Sequence, residues 1–307
     1  MDEGVDYANI YKSLSTESKK KIFKKASRLN ATEDFAFASK TLATQGCSDL
    51  AALFLRGKAK CEASSKNTKA EVSSLFTSAR YFIRAEDELD SINAVSFGQN
   101  LDCATQSILK ATTCIEDTEC DTMRVNFCIY LSDALMRHRR FGEALVHLKR
   151  ARDYLSDDPS HQLSILHKML SCQLNMHDWP GSLSTCTKLH TLLDSNRGKH
   201  LMSDDDREIW CAVEILRVCL LLLTVPSGKL LGITDPGGLL DTYSIEHLSP
   251  PVNMNEELFL SLQSLVHSYL HNDVIEVERA VTSLQLFVTP DFWHLLNLLC
   301  NPFLGCK

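Results

Sequence analysis

Residues 141–155 read FGEALVHLKRARDYL, and this stretch decides the fold. Leu145, Leu148, Ala151 and Leu155 recur at i, i+3, i+6 and i+10, which puts them on one face of an α-helix. Ala144, Leu148 and Ala151 add a small-x3-large-x2-small spacing along the same helix. Small residues let one helix settle closely on another, and the large residue between them fills the gap.

That spacing belongs to the second helix of a tetratricopeptide-like hairpin. The opening Phe141-Gly142-Glu143-Ala144 has a counterpart 38 residues later in Trp179-Pro180-Gly181-Ser182. Ser182, Cys186 and Leu189 repeat the spacing in degenerate form, and Val72, Phe76 and Ala79 give a looser copy. The period is longer than the roughly 34 residues of the standard repeat. Helix 159–177 carries two apolar stripes, Leu163, Leu166, Leu170, Leu174 and Ile165, Met169, Cys172, Met176. A helix apolar on two sides needs neighbours on both, as an inner helix of a stacked array has.

Proline carries this reading outward. None of the eight prolines precedes Pro159, and only five glycines do. Long helices tolerate that composition, and a sheet-and-turn architecture does not. The fold expected is all-α, a tetratricopeptide-like α-solenoid of about 13–14 helices. They are placed near 5–28, 31–45, 48–65, 67–88, 99–116, 119–139, 142–156, 159–177, 179–194, 203–225, 237–247, 254–271, 273–288 and 290–300. Asn30 with Glu33, and Asn253 with Glu256, have capping-box spacing, and Ser203-Asp204-Asp205-Asp206 sets acidic groups at a helix start. The expected organisation is a hairpin array at 1–225, an irregular Gly/Pro-rich loop at 226–236, and a C-terminal helical cap at 237–307 with an acidic face. Trp179 and Trp293 are expected in the core.

The chain of 307 residues has 44% hydrophobic and 23% charged residues, the proportions of a globular protein. Its net charge of −7 puts nucleic-acid binding behind other functions. Residues 231–307 hold nine acidic and two basic residues, which accounts for the whole of that charge. The N-terminus lacks the apolar segment of a signal peptide, and the apolar run 218–223 falls short of the ~20 residues of a membrane span. Twelve cysteines in such a chain read as reduced thiols, with Cys128, Cys172, Cys186, Cys211 and Cys219 as small core residues. No C-x2-C pair, G-x-S-x-G elbow, phosphate loop or H-E-x-x-H is present, so neither a metal, a cofactor nor catalysis is expected.

Two features suit partner binding. Lys20, Lys21, Lys24 and Lys25 surround an apolar stripe in the first helix, which fits an acidic or membrane surface as well as a solvated face. An adaptor like the soluble attachment proteins of vesicle fusion would use such a helix. Glu256 and Glu257 open a very apolar helix that includes Phe259. Leu220 to Leu223 cannot all face one side of a helix, so at least one points away from its main packing face, and that helix is either fully buried or part of a partner surface. Glu256, Glu257, Phe259, Leu221 and Leu222 are the candidate partner-binding residues.

Four stretches resemble the huntingtin-associated 40-kDa protein family, also called the factor VIII intron 22 protein family. They are Tyr11 to Ser15 with the lysine cluster 20–25, residues 79–86 (ARYFIRAE), residues 211–231, and residues 256–266. Long Pro/Ala-rich and Gly/Ala-rich segments of the vertebrate members have no counterpart, as in a compact, invertebrate-like relative. The resemblance implies a noncatalytic α-solenoid that sits in the cleft of a huntingtin homologue, between its HEAT-repeat arrays. It implies acidic contacts to a basic surface there, with Glu256 and Glu257 matching the acidic motif and His271 replacing a further acidic position. It also implies a link to an early-endosomal Rab GTPase, with cytoplasmic, endosomal and nuclear locations.

Overall fold

The structure, a computed structural model, describes residues 6–20, 25–115, 121–155, 159–196, 204–224, 238–247 and 249–300. All regular structure among them is helical. The chain packs as two compact units, residues 1–156 and 157–307. The loop expected at 226–236 lies outside the described residues.

The first unit contains α1 (Tyr7–Lys20), α2 (Lys25–Thr44), α3 (Ser48–Ser64), α4 (Thr68–Ser91), α5 (Gln99–Cys114), α6 (Asp121–Arg137) and α7 (Phe141–Tyr154). The second contains α8 (Pro159–Asn175), α9 (Trp179–Asn196), α10 (Asp204–Thr224), α11 (Leu239–Thr242), α12 (Glu256–Leu270), α13 (Val274–Leu284) and α14 (Trp293–Leu298). Within each unit most helices pack on the next in sequence: α2 on α3, α3 on α4, α4 on α5, α6 on α7, α8 on α9, α9 on α10, α12 on α13. This is the all-α, solenoid-like pattern that the apolar periodicity predicts.

One turn recurs at the helix ends. Gly46, Lys66, Asn93, Arg139, His177 and Asn272 all have left-handed backbone, with φ from 51° to 79°. In each case that residue donates its N–H to the carbonyl three residues back. The next residue donates to the carbonyl five residues back, at 2.8–3.1 Å. These two bonds define a Schellman motif, which satisfies carbonyls that the helix end would leave unpaired. At five of the six turns the next helix starts two residues after the left-handed one. The intervening residue caps it in three cases: Asn67 accepts from Ala70 N, Asp178 from Gly181 N and Asp273 from Glu276 N. Arg139 and His177 are 38 residues apart, so the sequence repeat marks a repeat of turn geometry.

With the turn fixed, residues 12 apart meet across a hairpin. Ser39 Oγ donates to Ala51 O, Ser74 Oγ to Glu62 Oε2, Ser132 Oγ to Ala144 O and Thr185 Oγ1 to Gln173 Oε1, at 2.7–3.3 Å. Ala144, Leu148 and Ala151 are buried, and so are Ser182, Cys186 and Leu189. Leu166, Leu170 and Leu174 on one stripe of α8 and Ile165, Met169 and Cys172 on the other are likewise buried. At the start of the chain Tyr11, Phe35 and Phe54 pack edge-on with centroids 5.3–6.0 Å apart. Gly57 has no side chain to spare there: a Cβ would stand 2.5 Å from Phe35 Cε1. Cys128, Cys172, Cys186 and Cys219 are core residues, and burial pushes the Cys128 thiol up to about 11 and Cys186 to about 12.

Some expected boundaries move. Of the helix expected at 5–28, α1 is described over Tyr7–Lys20, and α2 runs over Lys25–Thr44, so Asn30 lies inside a helix and not at its start. Asn255, not Asn253, caps α12, accepting from Leu258 N at 2.8 Å. The helix expected at 237–247 shortens to α11, because the chain tightens into three-residue bonds from Tyr243 N to Leu240 O and from Ser244 N to Asp241 O. Trp179 is half-buried and Trp293 is 40% exposed, with its indole N–H donating to Val288 O at 3.0 Å.

The repeated turn gives a direct test. Lys66 is exposed, and as a residue with a Cβ it carries the left-handed penalty that glycine avoids. Lys66→Gly is expected to stabilise the chain by about 1 kcal/mol, and Lys66→Val to destabilise it, in urea denaturation.

A second test concerns acid. His147 is buried on α7 with Nδ1 unpartnered among the described residues, and burial lowers it from 6.5 to about 4, with Arg150 adding to the effect. The unfolded chain therefore takes up this proton near pH 6.5 and the folded chain only near pH 4. Stability falls as pH drops through that window, by about 2 kcal/mol at pH 5 from this group alone. His147→Gln is expected to make the loss of melting temperature between pH 7 and pH 5 shallower.

Candidate partner-binding surface

The second unit brings two acidic helix starts together. Glu256 and Glu257 are exposed in the first turn of α12, where carboxylates meet the positive end of the helix dipole. α10 opens in the same way with Asp204, Asp205 and Asp206, followed by exposed Glu208. Cys211 Sγ of α10 lies 3.8 Å from Asn253 O, directed at that carbonyl, which ties the α10 start to the segment leading into α12.

Between them runs a groove of about 560 Å³. Arg207, Glu208 and Cys211 form one wall, residues 252–255 with Leu258 a second, and Leu286 with Phe287 a third. Val252 and Leu286 stand on its rim, 85% and 82% exposed. Glu208 and Phe287 also border a neighbouring cavity of about 270 Å³ that includes Ile209 and Phe292. The one basic side chain of the wall, Arg207, faces Asp204 at 3.9 Å. The result is a largely apolar groove whose one acidic wall residue, Glu208, is matched by Arg207, while Glu256 and Glu257 follow directly on Asn255 of its second wall.

Three of the candidate residues do not reach this surface. Leu221, Leu222 and Phe259 are 2%, 0% and 2% exposed. α10 is buried on every side from Val213 to Leu222, so of the two readings open for the leucine run the buried one holds. Phe259 packs against the ring of Tyr243, centroids 6.0 Å apart. Lys20 is the last described residue of α1 and Lys25 the first of α2, while Lys21 and Lys24 lie outside the described residues. Val252, Leu286 and Glu208 were not foreseen. The acidic run 204–206 is visible in the sequence, but its meeting with the start of α12 is a tertiary event.

A buried polar cluster supports the groove from behind. Glu214 Oε2 accepts from Arg217 Nη1 at 2.6 Å, and its Oε1 accepts from Tyr243 Oη at 3.0 Å. His190 Nε2 lies 3.5 Å from Glu214 Oε2, and its Nδ1 lies 3.3 Å from Asp194 Oδ2. Trp210 Nε1 donates to Asp194 Oδ1 at 3.1 Å. Burial lowers His190 below its ordinary value although both carboxylates pull the other way, so the imidazole is neutral at pH 7. Burial, with the Glu214 charge beside it, holds the Tyr243 hydroxyl protonated well above its usual range. The cluster joins α9, α10 and α11 and leaves one full ion pair inside, Glu214 with Arg217. Among the described residues no group of three or more His, Cys, Asp and Glu could hold a metal ion, and no helix is long and apolar enough to cross a membrane.

The described residues thus form an all-α chain of stacked hairpins, with an apolar groove on the second unit. No family model matches the sequence. The 40-kDa huntingtin-associated protein of Rattus norvegicus is 23% identical over an alignment of 352 residues, covering 96% of this chain and 92% of that protein. Its counterpart in Mus musculus is 24% identical over the same coverage. This low similarity, spread along nearly the whole of both chains, supports the chain as a distant member of that family.

The buried pair yields a prediction. Glu214→Gln or Arg217→Met alone leaves an uncompensated charge in the core and is expected to cost about 3–5 kcal/mol, whereas the double variant recovers most of it. Urea midpoints of the three variants check this, and additive losses would show that the two charges are not coupled.

Proposed function

We propose that this chain is a noncatalytic scaffold subunit that binds a huntingtin homologue, a HEAT-repeat protein, within its inter-domain cleft and stabilises one conformation of it. The observation that carries the reading is the similarity to the 40-kDa huntingtin-associated proteins over 96% of the chain. The groove supports it, since a rim with exposed Val252 and Leu286 is costly to leave in water and the acidic helix starts beside it favour a basic surface. In this reading the chain works in the cytoplasm, with early endosomes, through a Rab GTPase, and the nucleus as further locations.

Co-expression with the huntingtin homologue of the same organism tests the reading. The expected result is a stoichiometric complex, with lower yield and solubility for the chain expressed alone. An abundant, stable monomer that ignores the homologue would overturn it. Within the complex, Glu256→Lys combined with Glu257→Lys is expected to weaken binding about tenfold at low salt. The gap from wild type should narrow as salt rises, with helical content unchanged. An unaltered affinity removes these two residues from the interface.

A further inference from the structure

The end of α4 breaks a rule of helix electrostatics. The last residues of the helix are Arg84-Ala85-Glu86-Asp87-Glu88-Leu89-Asp90-Ser91, and no basic residue occupies the last turn. Four carboxylates therefore crowd the negative end of the helix dipole, where cations are favoured. Asp87 is held by Arg137 and His138, at 3.2 and 2.8 Å, and Glu88 by Arg84 at 2.8 Å. Glu86 is different. It is 4% exposed, its Oε1 accepts from Ser96 Oγ at 2.5 Å, and its Oε2 has no donor among the described residues. A buried carboxylate without a cation is costly to keep.

Glu86 and Asp90 line a cavity of about 350 Å³ whose other walls include Phe97, His138 and Arg140. The two bases there are already engaged. His138 Nε2 lies against Asp87, and Arg140 is bonded to Asp102, to both oxygens of Glu143 and to Gly98 O. The cavity thus offers unspent negative charge and no free positive charge. Beside it the α4–α5 loop holds three large apolar side chains out to solvent: Ile92, Val95 and Phe97, 71%, 85% and 86% exposed. Local folding explains neither their exposure nor the orphaned carboxylate oxygen.

We infer that the α4 C-terminus and the 92–98 loop form a docking site for a partner segment carrying a lysine or arginine next to a large apolar side chain. The cation enters the cavity toward Glu86 and Asp90, and the apolar group covers Phe97 and Val95. This inference rests on the reading that the chain is a partner-binding subunit, and it assigns to that partner a contact on the first unit, apart from the groove on the second.

The test uses the full chain titrated with the huntingtin homologue, with three readouts. Glu86→Gln keeps an acceptor for Ser96 and removes the charge. It is expected to leave the melting temperature of the free chain equal or higher, to weaken the complex about tenfold, and to reduce its salt dependence. Phe97→Ser is expected to weaken the complex by a similar factor with the free chain unaffected, because the side chain is already in water. Amide hydrogen exchange should show residues 92–98 protected on complex formation. A complex that forms with the wild type, matches its affinity in both variants and leaves 92–98 unprotected sinks this site alone. So does a Glu86→Gln chain that melts lower while binding normally, since Glu86 would then be structural. If the wild type forms no complex, this inference falls together with the reading on which it rests.

Discussion

A pair of backbone hydrogen bonds, from a left-handed residue and its successor to carbonyls three and five residues back, governs how this chain stacks. The pair ends a helix, and at five of its six occurrences it reverses the chain with a single residue left before the next helix. So short a reversal fixes the register of the two helices. Residues 12 apart then face each other, and at four hairpins a serine or threonine hydroxyl is placed to bond across. The small residues of the repeat follow from the same constraint: helices joined this tightly need Ala144, Ala151 or Ser182 where their backbones come near. The penalty of holding lysine, asparagine, arginine or histidine at positive φ is outweighed by the packing that the turn brings into line.

Much of this was legible in the sequence because it is local. Apolar spacing located most helices to within a few residues, and the 38-residue echo from Phe141 to Trp179 located two equivalent turns. The left-handed residues were not legible, since only Gly46 of the six is a glycine. Lys66 and Arg139 adopt the conformation because the flanking helices leave them no alternative. Residues 237–247 read as a helix because their apolar spacing allows one, but the tight turn at Tyr243 serves a bond to Glu214 that no local window contains. The run 220–223 suggests an outward face for Leu221 and Leu222 because four consecutive leucines cannot share one side of a helix, and Phe259 follows an exposed acidic pair. Burial of α10 on all sides takes in the leucine run. Glu256 and Glu257 stayed outside because charged groups at a helix start need water or a partner.

Two sets of charged residues differ in their physics. Glu62, Glu71 and Glu214 are buried and have partners inside the chain: Ser74 and Lys58, Lys110, and Arg217 with Tyr243. They specify how helices meet, and their removal is felt throughout a hairpin or layer. At the starts of α10 and α12, Asp204, Asp205, Glu256 and Glu257 face solvent and contribute little to folding beyond the helix dipole. They cluster beside the apolar groove of the second unit.

Packing that joins mostly neighbours along the chain also shapes how the protein is made. A hairpin such as α6–α7 completes its turn bonds and its Ser132 bond to Ala144 with residues only about a dozen positions apart. Little loop-closure entropy stands in the way of such contacts, so each hairpin can collapse quickly once both of its helices exist. Assembly can then advance from the first hairpins toward the last while the polypeptide is still leaving the ribosome. The apolar groove, built from residues 207–287, is finished only after the hairpins of the first unit have been made.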